Sequence, residues 1–538
     1  MERDHDSYDK TNSPDVKHTE ISTPTTTNTE AEADDKLTLW QAIKKYRRVV
    51  GYTFGLTSAI LLYGYDNVIV GTVSGMPGFQ EDFGRKLNGK WILPSAWLAL
   101  WNLSSPIGAM AGSLFGGWFQ DRVGRRVALA FGSFISAIAV AVCYVSYLPA
   151  DIDGRRGAFL VGKLIQGAAV GVVMAATQTY MSEILPAKLR GSGMAFFPAF
   201  TLLGQLTGAL VIFGSLNSKK GYVTAFASQW PFSFVPIIIA FLIPESPAYY
   251  IRRNRFEKAL KAQGRLDPPG TNTRAIVERI REDIEREEKT ARSTFAECFH
   301  KCNFRRTFIV MWANSLTNIF GLPLLAKASY FLQIGGMSAS ASVLFLILGI
   351  VLGLLANAAS VWVLSRVGRR PLINITLGIA AVLWLGMGIA NCFPGMAVTW
   401  YSRWTAISMM LTIIACGVGV WPCSFAVSAE TSSLNLRAKT QGIGWFISAL
   451  TTAISGIVLP YIFNPDEGNL RGKTGFIYCG TCILGLIASY FLIPEMKGRT
   501  ITEIDRMFEL KLSARQFKSW KGEADDERQV RSAGQPWV

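Results

Sequence analysis

The sequence predicts an all-α membrane protein of twelve transmembrane helices, built as two related halves of six. Three observations carry that reading. Half of the 538 residues are apolar and only 17% are charged, whereas a soluble globule carries about a quarter charged residues. The apolar residues gather into twelve runs, each near the roughly 20 residues that a bilayer requires. A short basic turn, Gly117-Trp-Phe-Gln-Asp121-Arg-Val-Gly124-Arg125-Arg126, separates two of these runs, and Ser365-Arg366-Val367-Gly368-Arg369-Arg370-Pro371 repeats it in the second half. Its glycines permit a tight turn and close helix approach. Its arginines are too costly to carry across lipid and hold the loop in the cytosol.

The net charge of +16 does not point to nucleic acid. Lys and Arg stand at the ends of apolar runs and act as topology determinants. Eight cysteines are scattered, several inside apolar runs, which argues against a disulfide framework. Cys298-Phe-His300-Lys-Cys302 offers three metal ligands without a fourth nearby, so no metal site is expected, and no cofactor is implied.

Taken in order, residues 1–48 begin as a Thr/Ser/Asp/Glu-rich cytosolic tail expected to be disordered. They end in Lys44, Lys45, Arg47 and Arg48, which favour a cytosolic N-terminus. Six spans fall near 49–72, 94–117, 127–147, 157–181, 192–214 and 228–243. They form a first unit over 49–243. Residues 244–306 are a charged cytosolic linker in which Ile276, Ile280 and Ile284 recur at helical spacing. Six further spans, near 307–331, 340–364, 372–392, 400–428, 441–462 and 474–493, form a second unit over 307–493. Residues 494–538 are a cytosolic C-terminal tail. The basic loops are those that positive-inside reasoning places with both termini in the cytosol.

The repeat extends beyond the turns. Glu183-Ile-Leu-Pro-Ala-Lys-Leu-Arg190 follows the fourth span, and Glu430-Thr-Ser-Ser-Leu-Asn-Leu-Arg437 follows the tenth. Pro244-Glu-Ser-Pro247 follows the sixth, and Pro494-Glu-Met-Lys-Gly-Arg499 follows the twelfth. Glu183 and Glu430 are expected to face the arginines of the two turns. This yields a candidate cytosolic gate of Asp121, Arg125, Arg126, Glu183, Arg190, Arg366, Arg369, Arg370, Glu430 and Arg437.

These motifs, in this order over about 45–500, resemble the sugar porters of the major facilitator superfamily. Gly64-Tyr65-Asp66, Met76-Pro-Gly-Phe-Gln80, Asn318-Ile-Phe-Gly321, Ser329-Tyr330-Phe331, Asn464-Pro-Asp466 and the tail Phe508-Glu-Leu-Lys are similar to the fungal α-glucoside (maltose-type) permeases. The resemblance implies the major facilitator fold: two six-helix bundles, a central site and alternating access. It implies a plasma-membrane permease, functional as a monomer in the lipid bilayer, whose partners are a sugar and a proton. Rival readings are a carrier of another, anionic metabolite on the same fold, and a sugar sensor that signals through its tails.

Asp66 is the leading candidate for chemistry. A carboxylate inside the first span is costly unless paired or functional, and in proton-coupled relatives an acid in this span takes up the proton. Lys163 stands where the family often has Arg, and an Asp66–Lys163 pair is expected. By the same family pattern Gln205, Asn318 and Phe425 fall at sugar-site positions, with Trp421 and Tyr330 behind them. Amides bond hydroxyls in pairs, and aromatic faces cover the apolar side of a sugar ring. Three residues depart from the pattern: Thr317-Asn318 replaces paired glutamines, Pro198 replaces a polar residue, and Lys327 replaces an aromatic. Lys327 reads either as a lysine snorkelling to the outer surface or as the partner of an anionic substrate group.

Enzyme signatures fail. Gly468-Asn-Leu-Arg-Gly-Lys-Thr474 is one residue short of a phosphate loop. The chain has no Gly-x-Ser-x-Gly elbow, and its three histidines, at 5, 18 and 300, supply no base at membrane depth. The chain is expected not to be an enzyme.

Overall fold

The computed structural model describes residues 39–520 apart from 88, 187–188, 190–195, 291–294, 394–397, 433–435, 498 and 500. In the first half the helices are α1 (Leu39–Lys45), α2 (Arg47–Val73), α3 (Pro77–Phe83), α4 (Ser95–Val123), α5 (Arg125–Val145), α6 (Ile152–Ile184), α7 (Phe196–Ser215), α8 (Gly221–Ala227) and α9 (Trp230–Leu242). Helices α10 (Pro247–Arg252), α11 (Phe256–Leu266), α12 (Thr273–Thr290) and α13 (Phe295–Cys298) follow between the two halves. The second half holds α14 (Lys301–Ile319), α15 (Leu322–Leu325), α16 (Ala328–Ile334), α17 (Ala339–Arg366), α18 (Arg369–Ala390), α19 (Val398–Val418), α20 (Val420–Thr431), α21 (Arg437–Phe463), α22 (Thr474–Leu492) and α23 (Ile501–Glu509).

Among the described residues eleven helical stretches are long and apolar enough to cross a membrane. The remaining long helix, α4, has 29 residues, ample for a bilayer at 1.5 Å per residue. It is less apolar because serines and glycines line its packed face. That face does the work of close approach: a Cβ on Gly112 would stand 2.0 Å from the Ala168 carbonyl oxygen of α6. Small residues let these two backbones meet where lipid offers no hydrophobic drive for association. The large apolar side chains point outward instead, as at Leu114, Phe241 and Val361.

Three spans are interrupted. The sixth joins α8 to α9. The seventh breaks at Gly321, whose φ of 97° no β-carbon residue adopts readily, and continues as α15 and α16. The tenth breaks at Gly419 between α19 and α20. Periodicity alone reads 307–331 and 400–428 as continuous runs, because apolar content persists across each break. A short antiparallel hairpin, β1 (Arg85–Leu87) with β2 (Lys90–Ile92), pairs Lys86 with Trp91 at the outer end. It departs from a purely helical expectation.

Two of the three linker isoleucines, Ile280 and Ile284, share a helical stripe with Val277. Val277 and Ile284 of α12 are buried with Ile251 and Ala259, and Ile280 packs against them. Among the described residues of the C-terminal tail, Met507, Phe508, Leu512, Phe517 and Trp520 are buried in the main core. The tail at 1–38 lies outside the described residues.

Candidate transport site and its gates

Asp66 and Lys163 meet within the first half. Asp66 is 4% exposed on α2, and Lys163 is 2% exposed on α6. The Lys163 ammonium pairs with Oδ1 of Asp66, and Ser105 Oγ donates to Oδ2 at 2.9 Å. Helix α6 is fixed at its start by Asp151, which accepts the Gly154 N–H at 2.9 Å as an N-cap. The ion pair sits where the desolvation penalty is large and a single proton can cancel one charge. A turn along α6, Gln166 accepts from Ser136 Oγ at 3.1 Å, and Ser136 bonds Ser233 Oγ at 2.9 Å. The Gln166 Nε2 is buried without a hydrogen-bond partner among the described residues. Sequence reasoning passed over Gln166; its signal was an amide three residues beyond Lys163 in an otherwise apolar run.

The candidate sugar groups come from several helices. Asn318, near the end of α14, donates to Thr451 Oγ1 at 2.8 Å and Thr452 Oγ1 at 3.3 Å on α21. The Gln205 amide on α7 is half-buried and has no hydrogen-bond partner among the described residues. Phe425 on α20 is 36% exposed and lies 6.0 Å from Trp445 of α21. Trp445, itself 47% exposed, is an aromatic that sequence reasoning did not single out. Trp421 is half-buried against the core.

Tyr330 belongs to a seal between the halves at the outer end. Its hydroxyl donates to Asn464 Oδ1 at 3.1 Å and accepts the Leu93 N–H at 3.3 Å. Asn464 Nδ2 donates to the Leu93 carbonyl at 2.8 Å. Asp466 accepts the Ser95 N–H at 2.9 Å, the Ser95 hydroxyl, and Arg85 at 3.0 Å. Burial alone would raise the Asp466 carboxyl. The bonds from Ser95 and Asn464 and the Arg85 charge outweigh it and hold the group below the usual carboxylate range.

At the opposite end of the bundles, two clusters repeat each other. Arg125 donates to Glu183 Oε1 at 2.9 Å, with Asp121 Oδ1 at 3.2 Å. Arg369 donates to Glu430 Oε1 at 2.9 Å. Glu245 of the Pro-Glu-Ser-Pro element accepts the N–H groups of Arg125 and Arg126 at 3.0 and 3.2 Å. Glu495 does the same for Arg369 and Arg370, at 3.1 and 3.2 Å. Each carboxylate satisfies the open amides at the start of α5 or α18 and complements the helix dipole. Burial pushes the Glu245 carboxyl up, against the amides of Ser246, Arg125 and Arg126 that favour its ionised form. The Pro-Glu echo in the sequence was the signal for this role.

Arg126 and Arg370 bond carbonyls at the ends of α9 and α22, and Arg366 lies over Trp362. The contacts described for these residues run within each half, so they brace the two bundles individually. Arg190 lies outside the described residues, as does the side chain of Arg437.

The model of a family described as "Sugar (and other) transporter" matches residues 53–508. The chain belongs to that family. This transporter is 30% identical over 516 residues to the MFS transporter fmqE of Aspergillus fumigatus, covering 91% of this chain and 92% of that one. It is 28% identical over 524 residues to the alpha-glucosides permease MPH3 of Saccharomyces cerevisiae, covering 94% and 84%. It is 27% identical to the maltose permease MAL61 of Saccharomyces cerevisiae, covering 91% and 80%. Its fold matches the xylose transporter XylE from E. coli in an inward open conformation, with a TM-score of 0.68, 20% identity, and 85% and 99% of the two chains covered. The transporter is thus a multi-pass major facilitator protein and not an enzyme.

Proposed function

We propose that the transporter moves a sugar of the α-glucoside or hexose class across the plasma membrane, coupled to a proton, by alternating access. The observation that carries the reading is the buried Asp66–Lys163 pair. With the pair intact, both charges are satisfied. A proton on Asp66 removes the attraction and leaves Lys163 without its counter-ion, so the first bundle gains a second stable arrangement of α2 against α6. Gln205, Asn318 and Phe425 are the residues we assign to the sugar. Gln205 holds an unused amide, and Phe425 pairs with Trp445 as a partly exposed aromatic surface. The two curated permeases of yeast support an α-glucoside.

The test is uptake of labelled maltose and glucose by cells lacking their own sugar carriers, at acid and neutral pH, with and without a protonophore. Uptake that is acid-stimulated, sensitive to the protonophore and lost in Asp66→Asn is the expected result. Uptake that ignores pH and survives Asp66→Asn would leave a uniporter. Absence of uptake of both sugars, with the protein at the cell surface, would overturn the sugar assignment.

A further inference from the structure

Lys327 is the second lysine at membrane depth, and it differs from Lys163 in having no counter-ion. Its ammonium has no ion-pair or hydrogen-bond partner among the described residues. The residue links α15 to α16, just beyond the break at Gly321. Its stem is held at the seam between the halves: a Cβ on Gly71 of α2 would stand 3.0 Å from Lys327 Cγ and 3.1 Å from its Cα.

The chain closes immediately outward of this point. Ser329 Oγ donates to the Gly71 carbonyl at 3.3 Å. Tyr330 enters the Asn464 seal, and Gln333 Oε1 accepts from Gln80 at 3.4 Å. Ser329 and Tyr330 are buried, while Lys327 is half-buried. Lys327 therefore stands on the inner side of the seal, one short helix beyond the break that follows Asn318. Asp66 is five residues below Gly71, about 7.5 Å along the helix, and is already taken by Lys163. The charges of that pair cancel. Lys327, by contrast, has no partner for its ammonium among the described residues, an arrangement that is costly at the seam between the halves unless a ligand supplies one.

We propose that Lys327 is a specificity-determining residue and that the preferred cargo is a sugar acid, whose carboxylate pairs with this ammonium. The proposal rests on the sugar-transport reading and replaces its neutral α-glucoside or hexose cargo with a sugar that carries a carboxylate. A carboxylate bound at Lys327 makes the loaded cleft electrically neutral. A neutral sugar of the same shape leaves the ammonium desolvated and unpaired, which is the stronger source of discrimination.

Glucose and glucuronate differ only at C6 and provide the test. Labelled uptake of each is measured at one fixed pH in carrier-deficient cells, for wild type, Lys327→Gln, Lys327→Arg and Lys327→Tyr, with surface abundance measured for each variant. The expected result is wild-type kcat/KM at least tenfold higher for glucuronate than for glucose. Lys327→Gln and Lys327→Tyr lower kcat/KM for glucuronate by at least tenfold more than for glucose, and Lys327→Arg keeps the wild-type preference. The proposal is overturned if wild type takes up glucose and not glucuronate, in which case the sugar-transport reading stands. It is overturned equally if Lys327→Gln changes both sugars by the same factor, the mark of a structural lysine. If surface-expressed wild type takes up neither, both readings fall together. The wild-type ratio does not depend on any variant folding.

Discussion

Asp466 accepts the backbone N–H of Ser95 at 2.9 Å, joining the loop after α21 to the start of α4, 371 residues earlier in the chain. Together with Arg85 and Asn464, this bond closes the outer end of the cleft. Opening the transporter to the outside requires breaking it. In Asp466→Ala the outward-open population rises, and a cysteine placed at Gln333 reacts faster with a membrane-impermeant thiol reagent than it does beside Asp466. An unchanged rate would remove the seal from the gating cycle.

The same carboxylate sets a pH expectation. Its folded pKa is depressed, so the stabilisation of the closed outer end is present above the ordinary carboxylate range. It is lost only when pH falls through the lowered value. Thiol accessibility at the seal therefore stays flat from about pH 5 to 8, both above the ordinary Asp value near 3.9. A rise in accessibility within that window would place the Asp466 pKa on the wrong side.

Lys163 and Asp66 are predicted to fail asymmetrically. Lys163→Gln leaves a buried carboxylate without its cation, at a cost of about 3–5 kcal/mol unless Asp66 takes up a proton. Asp66→Asn/Lys163→Gln removes both charges and recovers most of the loss in detergent-solubilised Tm. If the double variant melts no higher than Lys163→Gln alone, the two residues are not energetically paired.

Several of these groups were legible in the sequence because they break its pattern. Asp66 and Lys163 are charges in apolar runs, and Glu183 and Glu430 recur 58 and 61 residues after the matching arginines of the repeated turns; the geometry pairs each with a neighbouring charge. The breaks at Gly321 and Gly419 were not legible, since the apolar content that defines a span continues through them. Nor was the placement of Tyr330, because an aromatic in a span reads alike as a sugar contact and as a gate. Glu245 and Glu495 were visible as an echo, but their use depends on a fold that brings the end of one helix to the start of another 120 residues earlier. Unpaired states such as that of Lys327 require three dimensions, because a sequence cannot report the absence of a partner.

The basic turns give a contrast between two glycines. Gly124 adopts φ 103°, and a Cβ there would stand 2.4 Å from Glu245 Oε2. Gly117 has nothing within 4 Å. Gly124→Ala meets both a left-handed backbone penalty of roughly 1–2 kcal/mol and displacement of the carboxylate that caps α5, so the yield of folded protein drops. Gly117→Ala is neutral or slightly stabilising, as expected for a helical glycine with open space at its Cβ position. Equal yields of the two variants in fluorescence-detected size exclusion would contradict this.

The C-terminal tail supplies the last prediction. Arg306, at the start of the seventh span, pairs with Asp505 of α23, and its guanidinium lies 4.6 Å from the centre of the Phe508 ring. Arg305 donates to the Leu512 carbonyl, and Arg515 lies over Tyr490 at the end of α22. The tail thus ties the first and last spans of the second half together beneath the membrane. Met507 and Phe517 have no exposed surface, and removing them uncovers apolar surface worth about 1.5–3 kcal/mol per large side chain. Truncation after Glu495 therefore lowers the Tm and the amount of protein at the cell surface, while truncation after Trp520 leaves both unchanged. Arg306→Ala, which keeps the tail and removes its ion pair, falls between the two. Should truncation after Glu495 leave the Tm unaltered, the tail packs on the bundle without stabilising it, and the Arg306–Asp505 pair has to be read as a surface contact.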